Sequence, residues 1–257
     1  VPLLRAFVFL LLTPILTGFC FVVCLVGLLP APRSGRIAHA SARAWARTML
    51  WAAGARIVVT GTEHLSPDEP RVIVSNHASY LDIPAVLWAF PGQLRIIARR
   101  NLIWLPFIGW YILLAGHFFI DRDDPRQALG LMERAAARMR RHRLSALIFP
   151  EGTRSRDGRL AALKPGAFHL AGTIGVAIQP AAILGTRPIL PKEQWAPRRG
   201  GVVEVRFGPA IPTAGRSGAP ARRALASETR AAFLALGVPD GVPAPPDAPP
   251  APPASSA

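Results

Sequence analysis

Acidic residues are scarce in this chain: 15 Asp and Glu stand against 30 Lys and Arg, a net charge of +15 over 257 residues. Such a surface draws anionic lipid headgroups, nucleic acid or acidic proteins. The features that would select nucleic acid are missing. No basic run carries interleaved aromatics, and no zinc-finger spacing is present. Cysteine is nearly absent too. Cys20 and Cys24 lie four apart in an apolar stretch, so they share one helix face as small hydrophobes. Two cysteines make neither a disulfide framework nor a four-ligand metal site, and no metal is expected. Ser79 is not set in a nucleophile elbow, so no covalent intermediate on serine is called for. No internal repeat is found.

What the chain does have is apolar residues, 51% of the total, with a mean hydropathy of +0.29. Much of the excess sits in the first thirty residues. Ala6 to Leu29 carry no charge. A helix of that length reaches roughly 36 Å, enough to cross a hydrocarbon core of about 30 Å. Pro14 and Gly18 in its middle are places to kink it or turn it back. Arg5 before the run and Ala38-His39-Ala40 after it have the look of a cleaved leader. The run is longer than a leader core of about 7–15 residues, so a spanning or re-entrant anchor is the better reading. Arg33, Arg36, Arg43 and Arg47 follow it, which places the rest of the chain on the cytoplasmic side of an inner membrane. Arg36, His39, Arg43 and Arg47 also form one stripe on a helix. The expectation is an interfacial helix with its Arg heads among anionic lipids and Trp45 at the interface; the alternative is a solvated charged face.

The body alternates short apolar segments with helical ones. Strands are expected at Arg56–Thr60, Arg71–Ser75, Leu94–Ala98, Phe118–Asp121, Ala146–Phe149, Ala177–Leu184 and Val202–Phe207. Helices are expected at Tyr80–Ala89, Pro125–Arg141, Gly166–Gly175 and Ala219–Leu236. In the second of these, Leu129, Met132, Ala136 and Met139 fall at core spacing. The pattern is that of an α/β domain with a largely buried sheet. From Gly237 the chain turns Pro- and Ala-rich without apolar period, as a disordered tail does. The expected division is an anchor and interfacial helix over 1–54, a folded domain over 55–236 and a tail over 237–257.

Two constellations carry chemistry. Asn76-His77-Ala78-Ser79-Tyr80-Leu81-Asp82 follows the strand ending at Ser75, and α/β sheets place their ligands at such strand ends. A turn there folds a helix start back over the imidazole, so that Asp82 bonds one ring nitrogen and frees the other as a general base. His-x4-Asp is a weak pattern by itself, and a capping or buried-polar role for His77 is its bland reading. Phe149-Pro150-Glu151-Gly152-Thr153-Arg154-Ser155 also follows a strand. Glycine admits close approach, the Thr hydroxyl donates to oxygens, and Arg clasps phosphate bidentately. A polar turn with Arg154 in solvent is the alternative.

The two constellations in this order, with what lies between and after them, resemble the glycerolipid acyltransferase family, and within it the 1-acyl-glycerol-3-phosphate acyltransferases. Asn76-His77-x4-Asp82 matches the family's catalytic block. Arg99-Arg100-Asn101-Leu102, Pro106-Phe107-Ile108-Gly109-Trp110 and Phe119-Ile120-Asp121-Arg122 are similar to its second block. Phe149–Ser155 with Lys164-Pro165-Gly166-Ala167-Phe168 resembles its third, and Val176–Ala181 its fourth, with Gly185-Thr186-Arg187 and Leu190-Pro191-Lys192 like the stretch beyond. The resemblance runs from about Ile57 to Pro212. Two departures stand out: Arg99-Arg100-Asn101-Leu102 where the family often has Lys-x-Glu-Leu, and Gln179 in a normally apolar fourth block, a change expected to tune the substrate.

The resemblance implies an acyltransferase-like domain, a mostly parallel sheet flanked by helices, behind a membrane-anchoring segment. It implies acyl transfer from acyl-CoA or acyl-carrier protein to the sn-2 hydroxyl of 1-acyl-glycerol-3-phosphate. His77 would be the base and Asp82 its orienter. Arg99, Arg122 and Arg154 would hold the phosphate, with Glu151, Gly152 and Thr153 completing the substrate-binding set. No cofactor is implied beyond the thioester co-substrate. The expected partners are a lysophospholipid, the donor and the membrane, without nucleic acid. A phosphate-free acceptor such as lyso-ornithine lipid is the first alternative, and an inactive lipid-binding protein the second.

Overall fold

In the computed structural model, the structure describes residues 2–27, 36–66, 68–105, 107–120 and 125–241. Seven strands lie at β1 Ala55–Thr60, β2 Val72–Ser75, β3 Leu94–Arg99, β4 Phe118–Ile120, β5 Ser145–Ile148, β6 Ile178–Leu184 and β7 Gly201–Phe207. They form one sheet in the order β1-β7-β6-β2-β5-β3-β4. Every pair is parallel except β6 with β7. The central strands read as unbroken apolar runs because both faces are covered. Val72-Ile73-Val74 of β2 is wholly buried, as is Ala146-Leu147-Ile148 of β5. Edge strand β1 alternates instead: Ile57 and Val59 pack inward while Arg56, Val58 and Thr60 face out. All seven expected strands are present within a residue or two of their expected ends.

The helices are α1 Pro2–Gly27, α2 Arg36–Ala52, α3 Asp82–Ala89, α4 Ile108–Leu114, α5 Pro125–His142, α6 Gly166–Ile174, α7 Thr186–Ile189 and α8 Gly218–Ala235. On one face of the sheet, α2 and α3 bring Met49, Leu81, Val86 and Phe90 against Val203, Val205 and Phe207. On the other, α5, α6 and α8 bring Ala136, Met139, Phe168, Leu170 and Phe233 against Val72, Val74 and Ile148. The expected core role of Ala136 and Met139 holds; the side chains of Leu129 and Met132 lie outside the described residues. Beyond α8, Val238 is buried, and Leu160 bonds both Pro239 and Gly241. The body therefore runs on to Gly241, past the expected boundary at 236, because Leu160 and Val238 share the core beneath α8. Residues 242–257, most of the expected tail, lie outside the described residues.

Leu3–Val23 is long and apolar enough to cross a membrane. It does not stand free of the body. Phe9 is buried, the Thr13 hydroxyl meets Met49 Sδ at 3.3 Å, Trp45 Nε1 donates to Thr17 at 3.3 Å, and Cys20 Sγ meets the Ser41 carbonyl at 3.6 Å. Partners on α2 fall in number as those on α1 rise, so α1 runs antiparallel along α2. Its other side leaves Leu4, Phe7, Leu11, Ile15, Phe19 and Val22 uncovered. Phe21 carries this apolar surface onward, its ring 6.1 Å from Phe107 and 5.8 Å from Trp110. There Trp104 is 83% exposed, and Leu105, Ile108 and Leu113 are also exposed. Helix α4 and the 3-10 turn Arg100–Trp104 were not expected as elements.

The basic stripe on α2 is placed differently from the expectation. Arg43 donates to the carbonyls of Trp88 and Pro91 at 3.3 and 3.4 Å, and Arg43 and Arg47 both lie over the Trp88 ring. The stripe seats α2 on the end of α3, where guanidinium groups meet free carbonyls and an aromatic face. His39 turns inward, and burial, followed by the nearby Arg95 and Arg43, lowers its pKa to about 4. Trp45 packs against α1.

Candidate active site

The loops after β2, β5 and β6 form the site. These strands are neighbours in the sheet, in the order β6-β2-β5, so segments over a hundred residues apart converge at one edge. The chain leaves β2 at Ser75, and Asn76 fastens the exit. Its amide donates to the Ile183 carbonyl at 2.8 Å and accepts the Ile183 N–H at 2.7 Å, tying the loop to β6. His77 follows, then a tight turn into α3, whose first residue is Asp82.

Asp82 Oδ2 lies 2.8 Å from His77 Nδ1 and accepts the N–H groups of Ala78 and Ser79 at 2.7 and 2.8 Å. Asp82 is wholly buried, and Thr186 supplies a further donor to Oδ1 at 2.6 Å. A carboxylate so supplied with donors accepts from the imidazole, which puts the proton on Nδ1 and leaves Nε2 bare. The expected turn and its hydrogen bond are both present.

The second constellation sits on the first. Phe149 stacks on the His77 ring, centroids 4.0 Å apart and planes 19° from parallel. Glu151 Oε1 accepts the His77 N–H at 2.8 Å, and the Ser155 N–H donates to the His77 carbonyl at 2.7 Å. The backbone on both sides of the imidazole is therefore held by the loop after β5. Glu151 had been expected among the substrate contacts. It is 4% exposed, and its other oxygen accepts the Ala161 N–H at 3.0 Å. Both oxygens are committed to backbone, so its described role is to clamp the loop. Burial raises its pKa, and the two N–H bonds oppose that rise.

Gly152 makes the turn after Glu151 at a φ of 74°, and a Cβ there would press on the Lys164 ammonium at 3.0 Å. Thr153 is exposed and Arg154 half-buried. The Arg154 guanidinium lies 3.6 Å from the centre of the Tyr80 ring and donates to the Lys192 carbonyl at 3.0 Å. Lys192 reaches back, its ammonium 2.7 Å from the Arg154 carbonyl and 3.2 Å from Thr153 Oγ1. Trp195 also stacks on Tyr80, ring centroids 5.6 Å apart. Arg154, Lys164 and Lys192 thus rim the loop beside His77. Arg99 ends β3, with its side chain outside the described residues, and Arg122 lies wholly outside them.

Sequence reasoning gave no role to Asn76, Ser79, Thr186 or Lys192. Ser79 is a holding residue too, its hydroxyl donating to the Leu190 carbonyl at 2.7 Å. The signal for Thr186 and Lys192 was their place in the stretches after the fourth block. Gln179, expected to tune the substrate, is buried toward the far ends of β2 and β6. It accepts from Arg71 at 3.0 Å and donates to the Gly208 carbonyl. Its polarity answers a buried guanidinium and a strand end rather than a ligand.

Three likenesses bear on this arrangement. At 35% identity over 193 residues, the chain matches 1-acyl-sn-glycerol-3-phosphate acyltransferase LPAT1, chloroplastic, of Arabidopsis thaliana, with 73% of this chain and 53% of that one aligned. It is 37% identical over 164 residues to 1-acyl-sn-glycerol-3-phosphate acyltransferase alpha of Homo sapiens, covering 63% of this chain and 57% of that one. The chain thus spans a little over half the length of these relatives. The crystal structure of the 1-acyl-sn-glycerophosphate (LPA) acyltransferase PlsC from Thermotoga maritima superposes with a TM-score of 0.76 at 25% identity, over 92% of this chain and 96% of that one. The model of the acyltransferase family matches residues 56–184, half of the chain and the stretch holding His77, Asp82 and the loop from Phe149 to Ser155, so the chain belongs to that family.

Proposed function

We propose that this chain transfers a fatty acyl group from a thioester donor to the free sn-2 hydroxyl of 1-acyl-glycerol-3-phosphate, giving phosphatidic acid. The observation that carries the reading is the His77–Asp82 pair, 2.8 Å apart, with the Glu151–Arg154 loop bonded onto the backbone of His77. Membership of the acyltransferase family, and relatives named for this acceptor, support it.

His77 Nε2 takes the proton of the acceptor hydroxyl as its oxygen attacks the thioester carbonyl. A C–O bond forms, the C–S bond breaks, and the imidazolium returns the proton to the departing thiolate. Asp82 holds the imidazole in the required tautomer and steadies its transient charge. No covalent acyl-enzyme and no cofactor is needed beyond the co-substrate, which is acyl-CoA or acyl-carrier protein. Arg154 and Lys192 present charge for the acceptor's phosphate beside the base, and Arg99 and Arg122 are assigned to the same anion from their sequence positions. Gly152 and Thr153 line the approach to it.

The acceptor keeps its acyl chain in one leaflet. The uncovered faces of α1 and α4 give the protein an apolar surface to place there. The body belongs on the cytoplasmic side of an inner membrane in this reading, which the basic residues after α1 support. The test is acyl transfer by the purified protein in detergent, wild type beside His77→Ala. Lysophosphatidic acid and a lyso-ornithine lipid are each offered with both donors. Loss of His77 should lower turnover of lysophosphatidic acid by about 10²–10⁴-fold. Wild-type turnover confined to the phosphate-free lipid would overturn the acceptor, and an active His77→Ala would overturn the base.

A further inference from the structure

We propose that Thr186 is a positioning residue of the catalytic pair, acting through Asp82; this rests on the reading of His77 and Asp82 as base and orienter. Its hydroxyl lies 2.6 Å from Asp82 Oδ1, and both residues are buried, 1% and 0% exposed. Oδ2 is shared by the His77 imidazole and two backbone N–H groups. Those bonds anchor one oxygen and leave the plane of the carboxylate free to turn about it, because the terminal torsion of Asp is soft. A donor on Oδ1 fixes the plane. An ionised carboxylate only accepts, so the threonine hydroxyl must donate, and its proton has one direction to point.

The chain is shaped to deliver that hydroxyl. Gly185 leaves β6 at a φ of 84°, and a Cβ there would sit 2.1 Å from the Val202 carbonyl oxygen, so this turn admits only glycine. Two residues before that glycine, Ile183 is clasped twice by Asn76, which sets β6 against the catalytic loop. Beyond α7, Leu190 accepts the Ser79 hydroxyl. The segment from Ile183 to Leu190 is thus a third wall of the site, and Thr186 is its contact with the carboxylate.

Thr186→Val keeps the shape and removes the donor; Thr186→Ser keeps the donor and removes the methyl. Both are measured beside wild type and His77→Ala, with lysophosphatidic acid and an acyl thioester, and melting temperatures report the fold. Losing a hydrogen bond to a charged group predicts a fall in kcat of about ten- to hundredfold for Thr186→Val, with both KM values within about twofold. Thr186→Ser should stay close to wild type. Wild-type kcat in Thr186→Val, or equal impairment in Thr186→Ser, would overturn the proposal, the latter by assigning the effect to methyl packing. Should Thr186→Val not fold, Thr186→Cys, of similar size and weaker as a donor, takes its place with the same outcomes. If the wild type transfers no acyl group, the proposed function fails separately. The His77 Nδ1–H resonance then decides: it should move in Thr186→Val and hold in Thr186→Ser, and an unmoved resonance in Thr186→Val overturns the proposal.

Discussion

Lowering the pH from 8 to 5 is expected to destabilise the fold by about 2 kcal/mol through His117 alone. His117 stands just before β4, 8% exposed, with Nδ1 accepting the Ile96 N–H at 2.9 Å. Burial, then Arg95, His39 and Arg138, lower its pKa from 6.5 to about 3. The unfolded imidazole therefore binds a proton over a range where the folded one does not. Stability is fully present above the unfolded value and is lost as pH falls from about 6.5 toward 3. At pH 5 the unfolded group is about 97% protonated and the folded one about 1%, a ratio of binding terms near 30, or about 2 kcal/mol. His117→Asn keeps an acceptor where Nδ1 stood and removes the titration. Urea unfolding in detergent at the two pH values measures the difference. The raised pKa of Glu151 works in the opposite sense, adding stability as pH falls, but it is present in both chains and cancels between them. The variant should lose about 2 kcal/mol less than wild type on acidification. Equal losses would refute the burial argument.

Two further outcomes are expected besides those for His77 and Thr186. Glu151→Gln sets an amide donor against one of two buried N–H groups, from His77 or Ala161, and should destabilise by about 1–3 kcal/mol while lowering kcat. Unchanged kcat would detach Glu151 from the placement of His77. In vesicles with brominated acyl chains, Trp104→Phe and Trp110→Phe should each remove quenchable emission, whereas Trp195→Phe should not. The reverse pattern would remove α4 from the membrane surface.

The sheet was legible because its signals are local and strong. Val72-Ile73-Val74 and Ala146-Leu147-Ile148 are short apolar runs flanked by polar turns, and two covered faces leave such runs little alternative. The turn joining His77 to Asp82 was legible because the two residues are close in sequence. That the loop after β5 holds His77 was not legible; the contacts run through backbone atoms, such as Ser155 N–H to the His77 carbonyl, which carry no residue signature. Thr186 is 104 residues from Asp82 and is brought to it by the β6–β2 pairing. The stripe on α2 shows the other limit. Periodicity put His39, Arg43 and Arg47 on one face, but not what that face meets, and Trp88 with the carbonyls at the end of α3 decided it. Helix α4 escaped notice because it is only seven residues long, and Trp110 and Leu113 on it are exposed, so no polar outer face marks its period.

His77 and Asp82, the proposed base and orienter, ride on the loop after β2, yet each is gripped from a different neighbour. The backbone and ring of His77 are held by Glu151, Ser155 and Phe149, all from the loop after β5. Asp82 is held by Thr186, and the start of the loop by Ile183, both from the end of β6. The 2.8 Å separation between imidazole and carboxylate is thus set by the spacing of β5, β2 and β6, and only partly by the turn between residues 77 and 82. A sheet buried on both faces is the stiffest part of such a domain, so the geometry is established when the protein folds. The same logic accounts for the buried Arg71–Gln179 pair at the opposite end of β2 and β6. It reinforces the strand pairing that carries Thr186 to Asp82, and in this way a polar residue remote from the chemistry supports it.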